Sequence, residues 1–108
     1  MWIFTTRGFI SIVQHNSMKA CFQVKSREPG PLEHFWPEQE IRVIDWADYR
    51  YRIDIGKDEV YPVLNKLLGS IDYTGFKNNC EGQDYYRALT RIWSVMFAFQ
   101  ESMEDSEA

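Results

Sequence analysis

The sequence predicts an α+β fold, an antiparallel sheet of four to five strands with helices packed on one face. Three observations predict it. Short stretches of two-residue alternation occupy the first half of the chain. Two stretches with apolar residues at helical spacing occupy the second half. Apolar residues make up 44% and aromatic residues 16% of the 108, enough for a core without disulfide or metal staples.

Residues 1–15 read as strand. Trp2, Phe4 and Thr6 alternate with Ile3, Thr5 and Arg7. After Gly8 the alternation resumes, with Ile10 and Ile12 opposed to Phe9, Ser11 and Val13. Gly8 is either a tight turn or a bulge in one long strand. Asn16 to Lys19 is turn-like. From Cys21 to Arg27, Phe22 and Val24 oppose Gln23, Lys25 and Arg27, which predicts a half-buried strand. Pro29-Gly30-Pro31 breaks it. Pro31 opens a short helix carrying Leu32, Phe35 and Trp36, and Pro37 ends that helix.

A third strand is expected over Glu40 to Trp46 and a fourth over Tyr49 to Ile55, joined by a turn at Ala47-Asp48. In the fourth, Tyr49, Tyr51, Ile53 and Ile55 line one face and Arg50, Arg52 and Asp54 the other. Lys57 or Asp58 caps the next helix, whose apolar face is Val60, Val63, Leu64, Leu67 and Leu68; Pro62 is tolerated in its first turn and Gly69 stops it. Ile71 to Cys80 is a loop. Gln83 or Asp84 opens a last helix with Tyr85, Leu89, Ile92, Trp93, Met96 and Phe99 on a buried stripe. From Cys21 to Leu68 the order is β-α-β-β-α. An N-terminal strand added to that unit completes a permuted ferredoxin-like sheet. The expected organisation is one α+β domain over residues 1–100 and an acidic, flexible tail over residues 101–108.

The motifs Met1-Trp2-Ile3-Phe4-Thr5-Thr6-Arg7-Gly8-Phe9, Ala47-Asp48-Tyr49-Arg50-Tyr51-Arg52, Ile71-Asp72-Tyr73 with Phe76-Lys77, and Tyr86 with Trp93 and Met96 resemble a family of small uncharacterised bacterial proteins. The resemblance covers most of the chain outside residues 17–36. It implies a shared domain with no assigned activity, and it carries over no catalytic residue.

The net charge is −4, and Glu101, Glu104, Asp105 and Glu107 account for it, so the remainder is about neutral. The acidic end is either a solvating tail or a lure for a basic partner. Cys21 and Cys80 are far apart and have no CxxC or CxxH neighbour, so a zinc site has no support and two reduced thiols in a cytoplasmic protein are expected. Neither a signal peptide nor a membrane-length apolar run is visible, and no membrane partner is expected.

Chemistry-bearing patterns are sparse. The two histidines, His15 and His34, lack a second ligand at metal spacing. No glycine-rich phosphate loop or GxSxG elbow occurs. The reading leans against an enzyme, with no catalytic residue and no cofactor assigned. Asp45, Asp48 and Asp54 flank the third and fourth strands and give a weak case for a metal-dependent hydrolase.

Binding offers more. If the apolar side of the strands faces the helices, Lys25, Arg27, Arg42, Arg50 and Arg52 lie on the outer face with only Asp54 clearly opposed, and Phe9 or Trp46 offers a stacking surface. Such a face suits single-stranded nucleic acid. Alternatively these residues are an ordinary solvated face, or an interface rich in Tyr, Trp and Arg. The loop with Tyr73, Phe76 and Lys77 either binds or simply caps and turns. The first expectation is a non-enzymatic interaction domain that binds a protein partner or forms a homodimer. One version is a phage-type inhibitor of a host defence complex, motivated only by small size and the lack of catalytic motifs. Single-stranded nucleic-acid binding is the second expectation.

Overall fold

The computed structural model describes residues 1–107, with side chains described through Asp105; Ala108 lies outside the described residues. Five strands form one antiparallel sheet: β1 (Trp2–Thr5), β2 (Gly8–Gln14), β3 (Cys21–Ser26), β4 (Arg42–Val43) and β5 (Tyr51–Gly56), in the order β1-β2-β3-β5-β4. Among the described residues three α-helices accompany it, α1 (Gly30–Phe35), α2 (Lys57–Gly69) and α3 (Gln83–Glu107), with a short 3-10 helix over Lys77–Asn79. The α+β architecture is the expected one. The β2-β3-β5-β4 order, with α1 between β3 and β4 and α2 after β5, is that of a permuted ferredoxin-like unit to which β1 adds an edge.

Gly8 resolves as a turn. Thr5 pairs with Gly8 across a two-residue loop, and the Thr5 hydroxyl donates to the Gly8 carbonyl at 2.7 Å. Gly8 has φ +135°, and a Cβ there would sit 2.5 Å from Pro31 Cγ. The glycine thus serves both the hairpin and the seating of α1.

The core is the sheet face covered by α1 and α2. Ile10, Ile12, Val24, Ile53 and Ile55 meet Leu32 and Trp36 from the first helical segment and Val60 from α2. The Trp36 indole N–H donates to the Glu59 carbonyl at 3.3 Å, tying the end of α1 to α2. Val63 and Leu64 pack partly against this core, but Leu68 is 71% exposed.

Several details differ from expectation. The expected strand from Glu40 to Trp46 shrinks to Arg42–Val43, because Asp45 to Asp48 turn back toward β5 while Ile44 N–H bonds the Arg50 carbonyl. Gly56, not Lys57 or Asp58, is the N-cap of α2, and no side-chain cap bond forms. Tyr49 is buried outside the core cluster, against the ring of Phe9. The acidic stretch expected as a tail continues α3 to Glu107. The stripe expected to bury α3 is covered only at its start: Leu89 is 5% exposed, whereas Trp93, Met96 and Phe99 are 56%, 56% and 57% exposed.

Candidate interaction surface

The outer sheet face begins with aromatic side chains. Trp2, Phe4 and Phe9 alternate onto it from the first hairpin, with Phe4 and Phe9 in cross-strand register. Their ring centroids lie 4.6 Å apart for Phe4–Phe9 and 5.8 Å for Trp2–Phe9, and Tyr49 joins at 6.2 Å from Phe9. The Arg27 guanidinium stacks 4.4 Å over the Tyr49 ring and donates to the Asp48 carbonyl. Tyr85, Ala88 and Ile92 of α3 close the far side of a cavity of about 460 Å³.

Two of the five cations of the expected basic face are neutralised by carboxylates. Arg42 pairs with Asp54 at 2.9 Å, and Arg50 with Asp45 at 2.8 Å. The Asp45 carboxylate, through its hydrogen bond and its charge, raises the Arg50 pKa further above its ordinary value. Arg52 donates to the Tyr49 carbonyl, while its buried Nε has no hydrogen-bond partner among the described residues. Asp54 also accepts from Gln23 and faces His15 Nε2 at 3.3 Å. Because His15 Nδ1 accepts the Ser17 and Met18 N–H groups, the ring's other nitrogen carries the proton that faces Asp54. Lys25 has no ion-pair partner among the described residues and stands opposite Arg52 in register. Trp46 is 89% exposed, and no ring contact joins it to Phe9 among the described residues. The expected surface is therefore divided. Lys25, Arg42 and Arg52 share the sheet, Arg50 and Trp46 sit at the β4–β5 connection, and Arg27 belongs to the aromatic cluster.

The loop before α3 joins the helix instead. Tyr73 and Phe76 pack together at 6.2 Å, and Lys77 Nζ lies 5.8 and 5.5 Å from the rings of Tyr86 and Trp93. The Asp45, Asp48 and Asp54 carboxylates do not form a cation site. Asp48 accepts its neighbour's N–H, the other two pair with arginines, and no group of three His, Cys, Asp or Glu among the described residues is placed to hold a metal. Cys21 and Cys80 are free thiols, and burial pushes the Cys80 pKa up.

Helix α3 is the largest surface that sequence reasoning misplaced. No Gly or Pro interrupts its 25 residues, and Ala, Leu, Arg, Met, Gln and Glu supply good helix formers. Its first turns are anchored on the hairpin. The Tyr85 hydroxyl donates to the Thr5 carbonyl at 2.7 Å, Glu81 N–H to the Thr6 carbonyl at 3.2 Å, and Arg7 pairs with Glu81 at 3.1 Å. Burial, with smaller contributions from the Cys80 and Glu28 charges, pushes the Tyr85 pKa well above the ordinary phenol range. Beyond Ile92, which still lines the cavity, the helix leaves the body. Ile92, Trp93, Val95, Met96, Phe97, Phe99 and Met103 are all exposed, and Trp93 and Phe97 stack on one another at 5.2 Å. The overhang makes the molecule 47 Å long against 30 and 28 Å across. The signal that would have found it is a length mismatch. A 25-residue helix is ~37 Å long, whereas six or seven strand residues span ~20–23 Å.

No family model matches the chain, and neither a curated protein nor a solved structure matches it. Among the described residues no helix is long and apolar enough to cross a membrane.

Proposed function

We propose that the protein is a non-enzymatic interaction domain whose docking element is the projecting half of α3. The observation that carries this reading is the run of seven large apolar side chains from Ile92 to Met103 that the domain leaves uncovered. At roughly half exposure each, these residues present on the order of 600 Å² of apolar surface. That is the upper end of the largest patch on a typical monomer, and such patches are commonly binding surfaces. Trp, Phe and Met are also the side chains enriched at interface centres.

The anchoring of Tyr85 and Leu89 supports the same reading, because it holds the overhang at a fixed angle to the sheet and lowers the ordering cost of docking. The nucleic-acid alternative draws less support, since four of its five cations are already engaged by carboxylates, carbonyls or a ring.

The test is capture of interacting chains by immobilised wild-type protein and by a Met96→Glu/Phe99→Glu variant. Neither residue touches the core cluster, so the variant should keep the circular dichroism and melting temperature of the isolated domain. Wild type should retain a defined chain, either another protein or an untagged copy of itself, that the variant loses. Equal recovery by both proteins, or none by either, would rule out α3 as the docking element.

A further inference from the structure

We infer that the partner of α3 is a second copy of this chain, lying antiparallel along the same stripe. This deepens the interaction reading and rests on it. Three features of the helix select this occupant.

The first is the spacing. Tyr85, Leu89, Ile92, Met96, Phe99 and Met103 follow one another at intervals of four, three, four, three and four residues, the heptad seam of a helix paired with another helix. The domain itself covers Tyr85 and Leu89, Ile92 lies exposed at the cavity mouth, and Met96, Phe99 and Met103 project past it. An antiparallel pair centred between Phe97 and Ala98 sets Ile92 level with Met103 of the other copy and Met96 level with its Phe99. One register therefore matches all four exposed seam positions.

The second is charge. Arg91 and Arg87, the latter paired with Asp84 at 3.7 Å, leave the first half of α3 net basic, and Glu101, Glu104 and Asp105 lie in the last turns. Packed helices run 8–10 Å apart, within about a Debye length. Antiparallel copies bring the acidic end of each toward the basic half of the other, with Arg91 level with Glu104. Parallel copies would stack the two acidic ends. The same acidic end disfavours an anionic membrane surface as the occupant.

The third is continuity with the aromatic cavity. Ala88 and Ile92 line that cavity on the side of α3 that carries the seam, opposite Trp2, Phe4, Phe9 and Tyr49. A helix laid along the seam in the antiparallel sense ends at this mouth. Its Met103 arrives beside Ile92 and within reach of the exposed Trp2 ring, a contact that suits a thioether. Each copy would thus cover the other's overhang and cavity mouth. The exposed side chains of the overhang offer on the order of 600 Å², and the cavity mouth adds to it toward the ~800 Å² per partner of a standard specific interface.

The experiment is sedimentation velocity and light scattering on the full chain across a concentration series, with cysteine cross-linking to read orientation. The mass should be twice 12.9 kDa, and Met96→Glu/Phe99→Glu should weaken the pair by at least about 30-fold. In a Cys21→Ser/Cys80→Ser background, mixing an Ile92→Cys chain with a Met103→Cys chain should give the mixed disulfide. Homodisulfides in place of the mixed product would overturn the antiparallel arrangement. A monomer at every concentration would overturn self-pairing. If that monomer still captured another protein through the stripe, the interaction reading would stand; if it captured none, both readings would fall. A dimer indifferent to the double glutamate variant would remove α3 as its interface.

Discussion

Helices α2 and α3 carry the same kind of apolar stripe and meet opposite fates. In α2, 13 residues long, Val60 is fully buried and Val63 and Leu64 pack against the β3–β5 surface. In α3, 25 residues long, Leu89 is the one buried position among the described side chains, and the stripe continues through Ile92, Met96, Phe99 and Met103, all exposed. Periodicity is a property of the helix, but burial is a property of what lies opposite it. The sheet covers α2 over Val60, Val63 and Leu64 and leaves Leu68 exposed. It offers α3 only the end of the first hairpin. An apolar stripe that overruns its own domain therefore points to something outside the domain.

Truncating one apolar side chain in the core beneath the helices and one on the stripe of α3 separates the two cases most sharply. Ile53 is fully buried where β5 meets the helices, so Ile53→Ala should cost about 2–5 kcal/mol by lost burial and an unfilled cavity. Phe99→Ala removes a larger side chain, yet Phe99 is mostly exposed in the single chain. It should change the stability of the dilute monomer by less than about 0.5 kcal/mol. Urea titration of both variants at the lowest workable concentration makes the measurement. A Phe99→Ala loss as large as that of Ile53→Ala would mean that α3 folds back onto the body.

The gap between sequence and structure follows the same division. Strands β2, β3 and β5 were legible because each presents one apolar face, and alternation reports that directly (Ile10 and Ile12, Phe22 and Val24, Ile53 and Ile55). The strand expected from Glu40 to Trp46 was over-read. Its alternation is real, but Val43 is exposed and the chain turns at Asp45, so only two residues enter the ladder. The basic face was partly legible, since Lys25 and Arg52 do share a surface. Its neutralisation was not, because the pairing of Arg50 with Asp45 and Arg42 with Asp54 depends on how the β4–β5 connection folds. The aromatic cavity was hidden for a related reason. Trp2, Phe9, Tyr49 and Tyr85 come from four separate segments, and no local pattern joins them.

A smaller effect tests how the hairpin carries both regions. Gly8 faces Pro31 of α1 on one side and, through Thr5 and Thr6, supports the first turns of α3. Gly8→Ala places a Cβ 2.5 Å from Pro31 Cγ at φ +135°. The expected cost is about 1–3 kcal/mol, through backbone strain and displacement of α1. A melting temperature equal to wild type would show that the hairpin relaxes without disturbing α1.

The smallest effect concerns the Tyr85 phenol, which fastens α3 to the hairpin. Burial raises the pKa of Tyr85 in the folded chain above its unfolded value. Its contribution is therefore complete below the ordinary phenol pKa of about 10 and declines as pH rises past it, because the unfolded chain releases that proton more readily. Cys80, also raised by burial, adds a similar decline that begins in the ordinary thiol range. Tyr85→Phe removes the hydrogen bond to the Thr5 carbonyl and should cost about 0.5–1.5 kcal/mol at neutral pH. It should also flatten the fall in stability between about pH 9 and pH 11 while leaving the thiol contribution in place. Hydrogen exchange locates the effect: amides in the first turns of α3 should exchange faster in Tyr85→Phe, and those of β3 and β5 should not. If the two sets accelerated together, α3 would be part of the same cooperative unit as the core, and the separation between the covered helix and the projecting one would be a difference of exposure alone.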